Sequence, residues 1–167
     1  MLPKKVEQAI NKQINEELFS AYLYLSMSAY LSTKNLSGFS NWMKIQFEEE
    51  QFHAMKLYDY LIERGGRVEL ETIEKPKVEF GDIISVFEEV YAHEQKITSL
   101  INNLTDIAIH EKDHATVNIL QWFIAEQVEE EATVSDLLDQ LKLVEGKGSG
   151  LFMLDREAKV RTFTPPA

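Results

Sequence analysis

Four stretches of the chain place apolar side chains alternately three and four residues apart for several turns, the spacing that lines one face of a packed helix. The first stripe reads Ile10, Ile14, Glu17, Ala21, Tyr24, Ser28 and Leu31 and predicts a helix of roughly 30 residues, from near Pro3 to near Lys34. The second reads Phe39, Met43, Gln46, Glu50, His53, Leu57 and Tyr60, with Ser37 as its expected N-cap and Gly65-Gly66 as its stop. The third reads Phe87, Val90, Glu94, Ile97, Ile101, Leu104 and Ala108; it follows Gly81-Asp82, where the Asp82 carboxylate is expected to accept from free N–H groups of the first turn. The fourth reads Leu120, Phe123, Gln127, Glu130, Val134, Leu137 and Leu141, entered near Asp113 and ending before Gly146-Lys147-Gly148.

Short links after the first and third helices force antiparallel neighbours, while residues 66–81 are long enough to run the length of a bundle. The expected fold is therefore all-α, a single domain over 1–167 whose residues 1–145 form an antiparallel four-helix bundle with one long crossover between helices two and three. Within the crossover, Arg67 to Ile73 alternates polar and apolar residues, as a short strand or a surface-lying loop would. Leu151, Phe152, Met153 and Leu154 are too apolar for a free tail and predict a short fifth helix over 147–161, packed on the bundle or on neighbouring subunits; residues 162–167 are expected to fray.

Composition narrows the chemistry. Seven Gly and four Pro leave long helices uninterrupted, and the absence of Cys removes disulfides, thiolate metal sites, iron–sulfur clusters and cysteine nucleophiles together. A net charge of −11 repels phosphate backbones and attracts cations, so nucleic acid is not an expected partner. No run of about 18 apolar residues is present to span a bilayer, and the N-terminus has no apolar signal segment, so a soluble, cytoplasmic protein is expected.

Each stripe is interrupted by an ionisable or amide residue where Leu or Val belongs. Glu17, Glu50 and Glu94 lie about a dozen residues into their helices and Glu130 slightly deeper, so an antiparallel bundle brings all four to one level. Buried together, four carboxylates repel one another unless protons or cations intervene, which points to a metal cluster. Glu50 and His53 share a helix face at a spacing of three and offer one metal an oxygen and a nitrogen; Gln127 and Glu130 repeat that spacing. Any one of these residues alone reads as well as an outward-turned or lysine-paired surface group, and a lone Glu-x-x-His is weak evidence; it is the combination that carries the metal reading. Tyr24, two turns beyond Glu17, reads either as core packing or as a redox-active phenol. Glu49, Glu126 and Glu129 flank the level and read either as a solvated face or as ligands of a third cation. Oxygen-rich ligation with one imidazole suits iron, manganese or zinc alike. His93, His110 and His114 have no evident partners.

Taken together, Asn15-Glu16-Glu17-Leu18, Glu48 to Ala54, Tyr91-Ala92-His93-Glu94, Leu120-Gln121-Trp122-Phe123 and Glu126 to Glu131 closely resemble the prokaryotic non-haem ferritins over nearly the full chain. Ferritin-like di-iron bundles are built on such a pattern, with facing carboxylates and a Glu-x-x-His pair projecting inward. The resemblance implies that Glu17 and His53 bind one iron, Glu94 and Glu130 a second, that Glu50 bridges them with Gln127 beside the pair, and that Glu49, Glu126, Glu129 and Glu130 form a third iron site. It further implies ferroxidase activity, with Fe(II) oxidised by O₂ or peroxide, a role for Tyr24 in electron donation, and storage of Fe(III) mineral in a hollow cage of 24 subunits. Gln51 and Gln127-x-x-Glu130 depart from the bacterioferritin pattern, so no haem is expected, and the lack of Cys departs from the rubrerythrins. A cage without fast oxidation, and a di-metal oxygenase acting on an organic substrate, are the competing readings.

Overall fold

The periodic stripes become helices because each gives the chain one apolar face to bury, and in the structure, a computed structural model describing residues 2–165, they do so as four long helices and one short one. These are α1 (Lys4–Thr33), α2 (Ser37–Glu63), α3 (Ile83–His110), α4 (His114–Leu143) and α5 (Gly148–Ala158). α1 lies against α2, α3 against α4 and α1 against α3, and α5 packs on α2. None of the described helices is long and apolar enough to cross a membrane.

All four long helices stop in the same way. A residue with positive φ follows each C-cap, Asn35, Gly65, Lys112 and Glu145, and the next amide reaches back to a carbonyl of the last turn: Leu36 to Leu31, Gly66 to Leu61, Asp113 to Ala108 and Gly146 to Leu141. Only one of those four residues is a glycine, so three of the stops carry the strain of a left-handed backbone for the sake of closing the turn.

The helix starts divide the expectations. Asp82 caps α3, its Oδ1 accepting from the Ser85 amide at 2.8 Å. Ser37, expected to cap α2, is instead the first helical residue, and its side chain makes no capping bond. The role is taken from the far end of the chain: Asp155 Oδ1 on α5 accepts from the amides of Gly38 and Phe39 at 2.9 and 3.0 Å. A Cβ at position 38 would stand 1.5 Å from the Asp155 carbonyl oxygen, so this approach requires glycine.

No strand forms in the crossover. Residues 67–81 run along α1 in an extended path that α1 itself pins: Asn11 bonds Arg67 and Glu69, Asn15 donates to the Thr72 carbonyl, Ser26 to that of Lys77 and Tyr30 to that of Gly81. Its backbone groups find side chains rather than a second strand. This path returns the chain to the other end of the bundle, so α3 starts beside the end of α1.

Two apolar clusters fill the interior. One gathers Tyr24, Met27, Leu31, Phe39, Met43, Phe87 and Leu141, the other Val6, Ile10, Leu57, Leu61, Ile101 and Leu120. Each such side chain stabilises the fold by ~1.5–3 kcal/mol. Two stripe positions shift by one residue: Tyr60 and Leu137 are half-buried while Leu61 and Leu138 are buried, because 3.6 residues per turn drifts against a strict three-four count. The fifth helix is shorter than expected, and Leu151 and Leu154 pack on the core while Phe152 and Met153 face outward. Phe163, expected to fray, is held on the bundle: its ring meets that of Phe52 at 5.9 Å. Positions 166 and 167 of the expected tail lie outside the described residues.

Candidate metal centre

Between the two apolar clusters the core is polar. Gln13 and Glu17 from α1, Gln46, Glu50 and His53 from α2, Glu94 from α3, and Gln127 and Glu130 from α4 are all buried. Every long helix contributes, as the common level of the four glutamates predicts.

Glu17, Glu50 and His53 converge, each offering a ligand atom within 4.8 Å of the others. His53 Nδ1 stands 3.5 Å from Glu50 Oε2. The imidazole is walled by Trp122, at 5.4 Å between ring centroids and nearly edge-on, and by Phe123 at 6.0 Å, which leaves its ring little freedom to turn. Gln13 donates to Glu17 Oε1 at 2.8 Å, but no amide, hydroxyl or cationic side chain donates to the buried Glu17 Oε2, which only a proton shared with the Glu50 carboxyl can serve. An orphaned carboxylate oxygen in a core costs on the order of a few kcal/mol, and this one belongs to a side chain that converges with two other ligands.

Glu94 and Glu130 lie outside that group of three and are held by donors of their own. Tyr24 donates to Glu94 Oε1, and Gln127 Nε2 to Glu94 Oε2 at 3.2 Å. Gln46 Nε2 donates to Glu130 Oε2 at 3.1 Å, and Thr98, within 3.3 Å of Gln127, donates to Glu131. Sequence periodicity flagged Gln46 and Gln127 as stripe positions without saying which carboxylates they serve. Periodicity also placed Phe123 on its stripe without showing that it walls His53; Gln13, Thr98 and the part Trp122 plays in that wall escaped it, because nothing local distinguishes them from ordinary helix residues.

Among the described residues no Lys or Arg pairs with Glu17, Glu50, Glu94 or Glu130. Burial, then the charge of Glu50, pushes the Glu17 carboxyl up to about 8; burial, then Glu94, pushes Glu130 up to about 7. Glu50 and Glu94 are raised too, each chiefly by burial. Burial and the neighbouring Glu94 likewise hold the Tyr24 phenol in its neutral form. Without a cation the belt holds protons, and a cation offers the same carboxylates a stronger partner. The donor set is hard oxygen with one imidazole, which fits iron and other first-row divalent ions.

The flanking acids differ in setting. Glu49 and Glu126 are half-buried, and Glu129 is exposed. Glu49 Oε2 accepts from Arg161 Nη2 at 2.7 Å, yet burial still pushes its carboxyl up to about 7, aided by Glu130 and Glu126. His93 is buried against Ser20 at 2.7 Å and pushed down to about 4, chiefly by burial, so it sits neutral beside the belt.

A profile of the ferritin-like domain matches residues 7–144, the four long helices almost entire. The chain belongs to the ferritin family. It is 39% identical to a bacterial non-heme ferritin of Staphylococcus epidermidis over 163 residues, covering 98% of each chain. Among solved structures it resembles an open-pore ferritin from the hyperthermophilic archaeon Archaeoglobus fulgidus, 47% identical with a TM-score of 0.95, covering 97% of this chain and all of that one. A closed form of the same archaeal ferritin, made by site-directed mutagenesis, superposes with a TM-score of 0.97 at 48% identity, covering 98% of this chain and 100% of that one. This ferritin chain thus matches these relatives over 97–98% of its length, and the buried carboxylate belt lies within the part that the family profile spans.

Proposed function

We propose that the belt is a ferroxidase centre, at which Fe(II) is bound, oxidised by O₂ or peroxide, and passed inward for storage as Fe(III) mineral. Iron storage is the role that membership of the non-haem ferritins carries. The observation that supports the centre itself is the convergence of Glu17, Glu50 and His53, with no amide, hydroxyl or cationic side chain donating to the buried second oxygen of Glu17. In this reading Glu17 and His53 hold one iron, Glu94 and Glu130 the other, Glu50 bridges the two, and Gln127 steadies Glu94.

Iron here is substrate. Two Fe(II) give up one electron each; O₂ takes both with two protons to become H₂O₂, or peroxide takes both with two protons to become two waters. The protein's part is to hold the pair at one level and to supply an anionic shell that favours Fe(III) over Fe(II). Carboxyls poised at about 8 and about 7 release protons as iron binds near neutrality, so uptake is coupled to proton loss. Where O₂ is instead reduced fully to two waters, which takes four electrons and four protons, three Fe(II) supply one electron each and Tyr24, bonded to Glu94, supplies the fourth together with its phenolic proton. Glu49, Glu126, Glu129 and Glu130 form a third iron position beside the pair. The assembly is a hollow homo-oligomeric cage of 24 subunits, working in the cytoplasm without haem.

Aerobic oxidation at two Fe(II) per subunit tests this with Glu50→Ala and Glu130→Ala, both checked for unchanged assembly. Loss of the bridging Glu50 should slow oxidation by about 100-fold or more, beyond what loss of an outer-shell group usually does, with Glu130→Ala also slowed. Equal slow rates in wild type and both variants would leave a passive cage and sink the ferroxidase reading.

A further inference from the structure

The described chain beyond α5, up to Phe163, stays on the bundle and follows α2. Asp155 caps the start of α2, Asn41 Nδ2 reaches the carbonyls of Ala158, Lys159 and Arg161 at 3.4, 3.3 and 3.1 Å, and Phe163 meets Phe52 about three turns further on. Between these anchors the Arg161 guanidinium lies over the Trp42 ring, 4.4 Å from its centroid, and Nη1 donates to the Trp42 carbonyl at 3.4 Å. Its other nitrogen, Nη2, bonds Glu49 Oε2 at 2.7 Å, with the two side chains 22% and 17% exposed. Glu49 immediately precedes Glu50, so a cation carried 112 residues along the chain is delivered to the edge of the carboxylate belt.

We propose that Arg161 is the built-in counter-cation of the third iron position, and that a metal ion takes Glu49 only as Arg161 releases it. The inference rests on the third-site reading of Glu49, Glu126, Glu129 and Glu130. A guanidinium keeps its charge at any working pH, so it leaves by displacement and not by losing a proton. Binding and release are then linked in both directions: docking of the 155–163 arm weakens the third metal ion, and the third metal ion loosens the arm. The first two cations meet Arg161 least: among the described residues it pairs with none of Glu17, Glu50, Glu94 or Glu130, and of these its charge reaches Glu130, the carboxylate that the pair and the third position share. In this scheme the arm keeps Glu49 neutralised until the pair has filled, which orders the loading of the three positions.

Calorimetric titration of the assembled, metal-free protein with Zn²⁺, which undergoes no redox change, reads the effect. Arg161→Gln should bind the third Zn²⁺ per subunit about ten-fold more tightly than wild type with the first two unchanged, and Arg161→Lys should fall between them. A second readout uses Trp122→Phe, which leaves Trp42 as the one tryptophan of two and keeps an aromatic ring beside His53; because Trp122 walls that imidazole, the first two Zn²⁺ are counted by calorimetry in the same background. Its emission should shift with the third equivalent in this background and stay constant when Arg161→Gln is added. If Glu49→Gln abolishes a third Zn²⁺ that wild type and Arg161→Gln bind equally, the Arg161 inference falls and the third site stands. If the third Zn²⁺ binds without moving Trp42 emission, displacement is wrong. If no protein takes up a third Zn²⁺, the third-site reading and this inference fall together.

Discussion

On the α1–α2 side of the belt Glu17, Glu50 and His53 face one another with no side-chain donor to one Glu17 oxygen, whereas on the other side the carboxylates of Glu94 and Glu130 are occupied by Tyr24, Gln127 and Gln46, the last leaving its own Oε1 unpartnered. Both sides are buried to a similar degree, so the difference lies in what the protein offers each carboxylate in place of a metal. For its open oxygen the first side has only protons to offer. The second has neutral donors in place, and an arriving cation must share or displace hydrogen bonds that already stabilise the carboxylates. A single core level can therefore hold one position ready for a cation and another that is pre-shaped but partly satisfied.

The largest test of that contrast is the order of loading. With Co²⁺ or Zn²⁺ in the assembled apoprotein, Glu17→Gln and His53→Ala should weaken the first cation by about 100-fold, while Glu94→Gln should spare the first and remove the second. Equal damage to the first cation from Glu94→Gln would erase the distinction.

Proton linkage sharpens it at the next level. Glu17 is ordinarily near 4.5 in an unfolded chain and stands at about 8 in the fold, with Glu130 at about 7. Their contribution to the apoprotein is fully present below about 4.5 and is lost as pH rises toward about 8, since the unfolded chain ionises first; the loss is on the order of a few kcal/mol. Urea unfolding of the metal-free protein should thus show lower stability at pH 8 than at pH 5, with Glu17→Gln flattening the slope more than Glu130→Gln. An unchanged slope in both variants would mean that the belt does not hold these protons.

The smallest effect belongs to the amides. Gln127→Leu and Gln46→Leu remove the donors to Glu94 and Glu130, and each should alter second-cation affinity by about 10-fold while leaving the first alone. A shift confined to the first cation would reverse the comparison.

Much of this was legible in the residues. Three-four periodicity located four helices with a buried glutamate in each, and Asp82 identified a true cap, because these are local properties spanning one to a few turns. Ser37 misled for a related reason: Ser is a good cap in isolation, but Asp155 reaches the amides at the start of α2 from α5. The strand-like alternation of Arg67 to Ile73 misled because its backbone bonds to the asparagines of α1 and not to another strand.

By itself, then, the amino-acid sequence determined the helices, the crossover and the kinds of polar side chain that interrupt the core, since each follows from residue types at fixed short spacings. Tertiary structure alone decided which carboxylates stand open and which are satisfied, and which cation meets Glu49. Those outcomes depend on pairs such as Gln46 with Glu130 and Arg161 with Glu49, 84 and 112 residues apart. No local pattern encodes such a pairing; it exists only once helix packing has brought the two side chains within hydrogen-bond reach.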